Sequence, residues 1–380
     1  MKITVVGGFF LPVPAVAGGA MEKIWFRLAQ EFADAGHEIT YFSRTWPGFP
    51  DEETIGGIRM VRVKGFTHTR RLPLNLWLDL RWGMRVYPRL PAADVVVCHT
   101  VALPVYLPRF KPSAGRVVTV LGRMPKGQAK AYGRVDRLVA TSQAVRDEVI
   151  RENPRLAART LVLPNPMDWA LHQQPPRTAD IVTIGYVGRM HPEKGIEILL
   201  RAAADLARRP GLPPWKLRLV GPQKISEGGG GEGYVAGLRD LAARAGADIT
   251  LDPPIYDAAR LAAVYGTLDI FCYPSLAEKG EGLSVAPLEA MASGAVPVVS
   301  ALDCYNDVIR HGENGLIFDH RDPGRAARLA DLFAGLLTDP DLRRRLAARA
   351  RLDARRFDYA TVATDFLADF TRLLSGPRAR

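Results

Sequence analysis

Short apolar runs alternate with amphipathic helical stretches along most of this chain, and that alternation restricts its fold more than any other feature. Residues 3–6, 38–42, 58–63, 94–98, 116–120, 137–140 and 160–163 read as strands, with helical segments between several of them. A second series follows at 181–187, 217–220, 248–251, 268–273 and 296–299, separated by helical patterns at 194–208, 234–245 and 257–265. Strand–helix repetition of this kind builds a mostly parallel, doubly wound sheet. Two series in 380 residues fit two such domains. Pro164-Asn165-Pro166 and the Pro-rich segment 173–178 make a linker between them. Residues 20–35 carry Ile24, Leu28 and Phe32 at i, i+4 and i+8, one buried stripe of a helix. The chain closes on three Arg-rich helical stretches, 322–337, 339–355 and 357–374; Leu367, Phe370 and Leu374 predict that the last is docked.

Other features narrow the function. The first strand and its Gly/Pro-rich loop lack the full dinucleotide fingerprint, which disfavours NAD. Cys98 and Cys272 lie in apolar runs, and with Cys304 make an odd number without metal-ligand spacing, as in a reducing compartment. No apolar run is long enough to span a bilayer. The opening run resembles a signal peptide, but residues 3–6 also read as a first parallel strand leading to a helix, and that reading is adopted. The net charge of +11 sits entirely in residues 1–165, with 24 Lys/Arg against 13 Asp/Glu; residues 166–380 balance at 27 each. A basic first half implies an anionic partner. Residues 66–91 place Arg70, Arg71, Trp77, Arg81, Trp82, Arg85, Tyr87 and Arg89 among leucines. Such a helix either lies on a membrane or grips an acceptor, or packs on the core with a solvated arginine face.

Two stretches can carry chemistry. In 281–299, Glu281 and Glu289 stand eight residues apart, Gly282 and Ser284 follow the first, and a helix starts near 284–286 with Pro287 in its opening turns. Its free amides and positive dipole end suit an anion. In Gly188-Arg189-Met190-His191-Pro192-Glu193-Lys194-Gly195, two cations follow a strand and precede a helix, where open α/β sheets bind ligands. An arginine fork and a lysine point charge suit a diphosphate. Together the stretches describe a sugar-nucleotide site without a DxD-like metal motif, in which cations stabilise the leaving diphosphate. The Gly-rich segment 228–231 reads as a flexible loop or a lid.

The sequence resembles family 4 of the retaining glycosyltransferases, which have the GT-B fold. The likeness runs over nearly the whole chain: Gly18-Gly19, Gly36-His37-Glu38, Asp136 to Ser142, Pro164-Asn165, Gly188-Arg189 with Lys194-Gly195, and Gly312 to Leu316. Its specific part is Glu281 with Glu289 in the context Glu289-Ala-Met-Ala-Ser-Gly294. The resemblance implies two Rossmann-like domains facing across a cleft. Residues 1–165 would bind the acceptor and 175–356 the donor, with helix 357–380 packing back on the first. It implies transfer of a hexose from a nucleotide diphosphate sugar, UDP- or GDP-linked, to a hydroxyl, with retention and no metal or other cofactor. Glu289 would hold the ribose, Glu281 the hexose, and the amides of Gly282, Leu283 and Ser284 the sugar or diphosphate. Arg189 and Lys194 would neutralise the diphosphate, Gly19 would offer its amide, Ile255 would hold the base through its backbone, and Arg260 would touch the nucleotide. Relatives commonly carry a histidine after the 116–120 strand; here Leu121-Gly122-Arg123 stands. His99 is then the best ring for the acceptor side. The alternative acid, Glu278, has the wrong spacing to Glu289.

With the charge split, this implies an anionic or lipid-linked glycan acceptor in envelope synthesis. It implies a cytoplasmic setting with peripheral membrane contact, and no nucleic-acid partner. A GT-B epimerase and a non-catalytic sugar-nucleotide binder would share the same donor residues.

Overall fold

The computed structural model describes residues 1–69, 71–173 and 180–378, so Arg70 and most of the 173–178 linker lie outside it. The chain divides into two compact units. The first holds Met1–Pro166, Glu281–Leu283 and the chain from Tyr359 onward; the second holds Met167–Gly280 and Ser284–Asp358.

The first unit is built on an eight-stranded sheet in the order β3-β4-β2-β1-β5-β6-β7-β8. The strands are β1 Lys2–Val6, β2 Glu38–Arg44, β3 Glu52–Ile55, β4 Ile58–Val63, β5 Val95–Cys98, β6 Arg116–Leu121, β7 Arg137–Ala140 and β8 Thr160–Val162. All neighbours pair in parallel except β3, which runs antiparallel to β4. The run of four buried valine and cysteine side chains in β5 reflects helices on both faces, which leave a central parallel strand no solvent side. Its helices are α1 Ala20–Asp34, α2 Leu72–Val86, α3 Leu103–Phe110, α4 Gln143–Glu152 and, at the far end of the chain, α11 Tyr359–Ser375.

Ile24, Leu28 and Phe32 of α1 are buried as their spacing predicts, joined by Trp25. The closing helix is docked through Phe370 as expected, but Leu367 and Leu374 give way to the residues one position earlier. Val362, Phe366, Phe370 and Leu373 are buried, whereas Leu367 is half-buried and Leu374 exposed. The shift brings Phe366 to 5.1 Å from the Trp25 ring and Phe370 to 6.0 Å from Phe32, contacts larger than a leucine stripe would make. Asp369, also buried, pairs with Arg137 at 2.9 Å.

In the second unit the order is β11-β10-β9-β12-β13-β14, every pair parallel. Here β9 is Val182–Val187, β10 Trp215–Val220, β11 Ile249–Asp252, β12 Ile270–Tyr273, β13 Val296–Ser300 and β14 Leu316–Phe318. The helices are α5 Ile196–Ala207, α6 Glu232–Arg244, α7 Ala258–Tyr265, α8 Val285–Ala292, α9 Arg325–Thr338 and α10 Pro340–Ala354. Strand order reverses between β9 and β12 here, and between β1 and β5 in the first unit. Loops leaving the carboxyl ends of strands at such a reversal diverge and open a crevice.

Candidate functional site

At the second unit's reversal, β9 ends at Val187 and the chain turns through Gly188, Arg189 and a single 3₁₀ turn, Pro192–Lys194, before α5. The turn closes at Gly195, whose φ of 63° lies in the left-handed region. A Cβ there would collide with the Pro274 carbonyl of the loop after β12. Glycine thus allows the two crevice loops to touch.

Arg189 donates to the Gly228 carbonyl at 2.9 Å and to Glu193 at 2.5 Å. Lys194 is buried, with its Nζ 3.9 Å from the same Glu193 carboxylate and 5.4 Å above the Tyr273 ring. Burial raises the Glu193 pKa, but Arg189 and then Lys194 outweigh it, and the net effect holds Glu193 below the usual carboxylate range. The Gly-rich segment is fastened to this turn by Gly230 N, which donates to Met190 O at 2.7 Å, and to the loop after β10 by Gly231 N, which donates to Gln223 O at 2.9 Å.

Tyr273, the last residue of β12, ties Lys194 to the start of α8. Its ring lies under Lys194, and its hydroxyl accepts from Ser284 Oγ at 3.3 Å. Ser284 is the N-cap of α8 and also accepts from Tyr305 at 3.4 Å. Its side chain does not cap the helix. The sheet beneath is an aromatic ladder in which Tyr186 and Phe271 flank Tyr273 at 5.9 and 6.2 Å. The unit therefore brings Arg189, Lys194 and Ser284 to one crevice. Glu289 lies one turn further into α8 than the helix's opening residues, 3.9 Å from His172 Nε2. His172 is buried and its Nδ1 bonds Ser293 Oγ at 2.9 Å. The buried Tyr265 phenol lies beside Glu289; burial first, and that carboxylate second, push its pKa well above the ordinary value.

Glu281, buried at 8% exposure, stands with Gly282 and Leu283 immediately before Ser284 in sequence, and these three group with the first unit. Glu278 is exposed and pairs with His320 at 3.2 Å and Arg321 at 2.8 Å. Ile255 is half-buried in the loop after β11. Arg260 is exposed on α7, where its backbone amide is capped by Asp257 at 2.8 Å.

In the first unit, Gly19 is the N-cap of α1 with a φ of 102°. A Cβ there would collide with the carboxylate of Glu22, whose pKa burial raises. His99 follows β5 and donates its amide to Val6 O at 3.0 Å, so both lie at the reversal between β1 and β5. Its ring packs on Trp25 at 4.5 Å, and both ring nitrogens are shut off from solvent without a partner. Burial lowers its pKa to about 3. Asp79 of α2 holds the turn beyond it, accepting from Val101 N at 3.0 Å and Ala102 N at 2.7 Å. Burial raises the Asp79 pKa to about 6 against the opposing effect of those two amides.

Glu193, Tyr273, His172 and Asp79 were not singled out in the sequence. The adjacency of Glu193 to Lys194 was a usable signal. The other three work through partners far off in the chain. Among the described residues no group of three or more His, Cys, Asp or Glu side chains is placed to hold a metal ion.

Comparison with known proteins adds an independent view. Residues 18–170 match the model described as Glycosyltransferase Family 4, and residues 167–353 that of Glycosyl transferases group 1. Phosphatidyl-myo-inositol mannosyltransferase of Mycobacterium tuberculosis is 31% identical over 187 residues, 49% of this chain and 46% of that one. The match thus spans about half the length of that relative. Sucrose-phosphate synthase of Thermosynechococcus elongatus superposes with a TM-score of 0.80 at 20% identity, covering 99% of each chain. HepE of Anabaena, solved with UDP and glucose, gives a TM-score of 0.72 at 20% identity over 98% of this chain and 100% of that one. The two parallel-sheet units are those of the GT-B fold.

Proposed function

The chain belongs to glycosyltransferase family 4, and we propose that it moves a hexose from a nucleotide diphosphate sugar to a hydroxyl acceptor with retention of configuration. The observation that carries this reading is the placement of Arg189 and buried Lys194 at the sheet reversal, joined through Tyr273 to the N-cap of α8. Two cations beside a helix N-terminus supply fixed positive charge where a diphosphate leaves, so no metal ion is required for that step. Glu289 binds the ribose hydroxyls and Glu281 the hexose. The amides of Gly282, Leu283 and Ser284 meet the sugar or diphosphate, Gly19 offers its amide, and Ile255 and Arg260 serve the base end. His99 serves the acceptor side.

In the reaction the acceptor oxygen attacks the anomeric carbon as its bond to the phosphate oxygen breaks. The electron pair passes to the diphosphate, held by Arg189 and Lys194, and the leaving phosphate oxygen takes the acceptor's proton on the same face. No enzyme nucleophile is needed. The base is uracil or guanine; the solved relative HepE carries UDP and glucose, which favours uracil. The acceptor is an anionic or lipid-linked glycan precursor of the envelope, reached by a cytoplasmic protein in peripheral contact with the membrane. The charge confined to residues 1–165 supports that part, as does the name of the mannosyltransferase it resembles.

A panel of UDP-, GDP- and ADP-sugars tests the donor. Ligand at a hundred times its dissociation constant adds roughly 2.7 kcal/mol of stability, so the true donor raises the melting temperature above the others. Proton NMR of that donor with and without acceptor then tests the chemistry. Metal-free release of sugar with its anomeric configuration retained is expected. Conversion to an epimer with no second substrate would contradict transfer.

A further inference from the structure

The exposed face of α2 is more apolar than its packing requires. The helix buries Leu78, Asp79, Trp82, Gly83 and Val86 against the sheet. Its other face carries Leu72, Leu76, Leu80 and Met84 in one row at i, i+4, i+8 and i+12, exposed at 65%, 44%, 40% and 62%, with Trp77 beside them at 50%. α3, which packs against α2, adds exposed Val105 and Phe110. Arginines stack among these side chains: Arg81 lies over Trp77 at 4.9 Å, Arg85 over Phe66 at 4.3 Å and Arg109 over Phe110 at 5.7 Å. A contiguous apolar row of this kind on a soluble surface marks an interaction site.

The charge says what covers it. Residues 64–135 contain 13 Lys/Arg and only two acids, Asp79 and Asp94, a balance of +11. That equals the net charge of the whole chain, so every other part of the protein is neutral taken together. Asp79 faces inward onto the Val101 and Ala102 amides, and Asp94 accepts from Lys2 N at 2.7 Å. Among the described residues, the outer face of α2 and α3 therefore offers apolar side chains and cations without an opposing acid from residues 64–135. A helix that is apolar on one face, bears tryptophan and is flanked by arginine lies in the plane of a bilayer, its leucines in the acyl boundary and its cations on the phosphates. At 15 residues α2 is suited to lying flat, and no helix among the described residues is long and apolar enough to cross a membrane.

We infer that the outer face of α2, continued by α3, docks on an anionic lipid bilayer. This rests on the proposed membrane contact and assigns it to a surface. The inner face of the same helix holds, through Asp79, the turn after His99, so the docked element also supports the acceptor side.

The test is co-sedimentation with phosphatidylcholine vesicles with and without phosphatidylglycerol at low salt, comparing the protein with Leu76→Asp/Leu80→Asp. Both leucines are exposed, so the fold is not at stake. Arg328→Ala/Arg345→Ala in the second unit is the control, since it changes the net charge by the same amount. Retention by anionic vesicles only, lost at least tenfold in the leucine variant and kept in the control, is expected. Equal retention of the leucine variant would overturn the surface assignment and leave the membrane contact standing. No retention of the unmodified protein would overturn both. A self-associated protein that the leucine variant renders monomeric, with vesicle binding unchanged, would assign the face to a second copy instead. The donor-induced thermal shift, measured on the same proteins, keeps these outcomes separate from the transferase reading.

Discussion

Glu193 is the residue that most changes the picture of the proposed donor site. Its carboxylate already engages Arg189 and lies near Lys194, so a diphosphate bound as proposed would compete for the Arg189 fork. Pairs this exposed contribute about 0.2–1 kcal/mol. Glu193→Gln is therefore expected to tighten nucleotide binding by roughly 1.4- to fivefold, the range those energies span, and calorimetric titration of the diphosphate checks it. Weaker binding would mean that Glu193 orients the cations instead. Arg189 and Lys194 could be read from their place between a strand and a helix. The choice of Glu193 as their partner depends on side-chain geometry that spacing does not convey.

His99 is the second case. It was legible as a strand-end ring, but its burial is made by Trp25, which arrives from α1 more than seventy residues earlier. With a folded pKa of about 3 against an ordinary 6.5, the unfolded chain binds a proton between these values and the native protein does not. Stability from this group is thus full above about pH 6.5 and falls as the pH drops toward 3. Asp79, raised to about 6, acts oppositely: the native protein holds its proton longer, and stability from this group rises as the pH falls from about 6 toward 4. His99→Gln should therefore lose less stability between pH 7 and pH 5 than the parent protein, by up to about 2 kcal/mol, and Asp79→Asn should lose more. Urea unfolding at both pH values measures the differences.

At the scale of elements, most strands were legible because they are short, apolar and buried on both faces, as in β5, β9 and β12. β3 was not. Its residues, Glu52 to Ile55, are acidic and partly exposed, and they pair antiparallel to β4 across Gly56-Gly57, both with positive φ. A two-residue glycine turn is the hairpin signal that could have revealed it. Two of the three stripe positions of α11, Leu367 and Leu374, were misplaced by one residue because leucine spacing alone does not show that Phe366 meets Trp25 and Phe32. Phe366→Ala should cost about 3–5 kcal/mol, read by chemical denaturation. Gly195→Ala is a sharper test of the crevice: positive φ costs roughly 1–3 kcal/mol, and the added methyl also pushes against the Pro274 carbonyl. That variant should lose both stability and the nucleotide-induced thermal shift.

Across the whole molecule, the features assigned to chemistry gather at the two places where strand order reverses: Gly19 and His99 beside β1 and β5, Arg189, Lys194 and Ser284 beside β9 and β12. Alternation of strands and helices predicts that such places exist. The strand order that locates them is set by packing across the sheet and emerges only from the fold. The charge, by contrast, was legible from the start, while its concentration in residues 64–135, the stretch that carries α2 and α3, took on meaning once α2 was seen to expose its leucines.

The proposed transferase activity requires that Arg189 and Lys194 hold a nucleotide diphosphate. Calorimetric titration of UDP and GDP into the protein and into Arg189→Ala/Lys194→Ala tests it directly. Each charge-assisted contact is worth about 1.5–3 kcal/mol, so the pair should weaken binding at least a hundredfold, while the fold persists by circular dichroism. Affinity for the diphosphate unchanged in the double variant would contradict the assignment of the site.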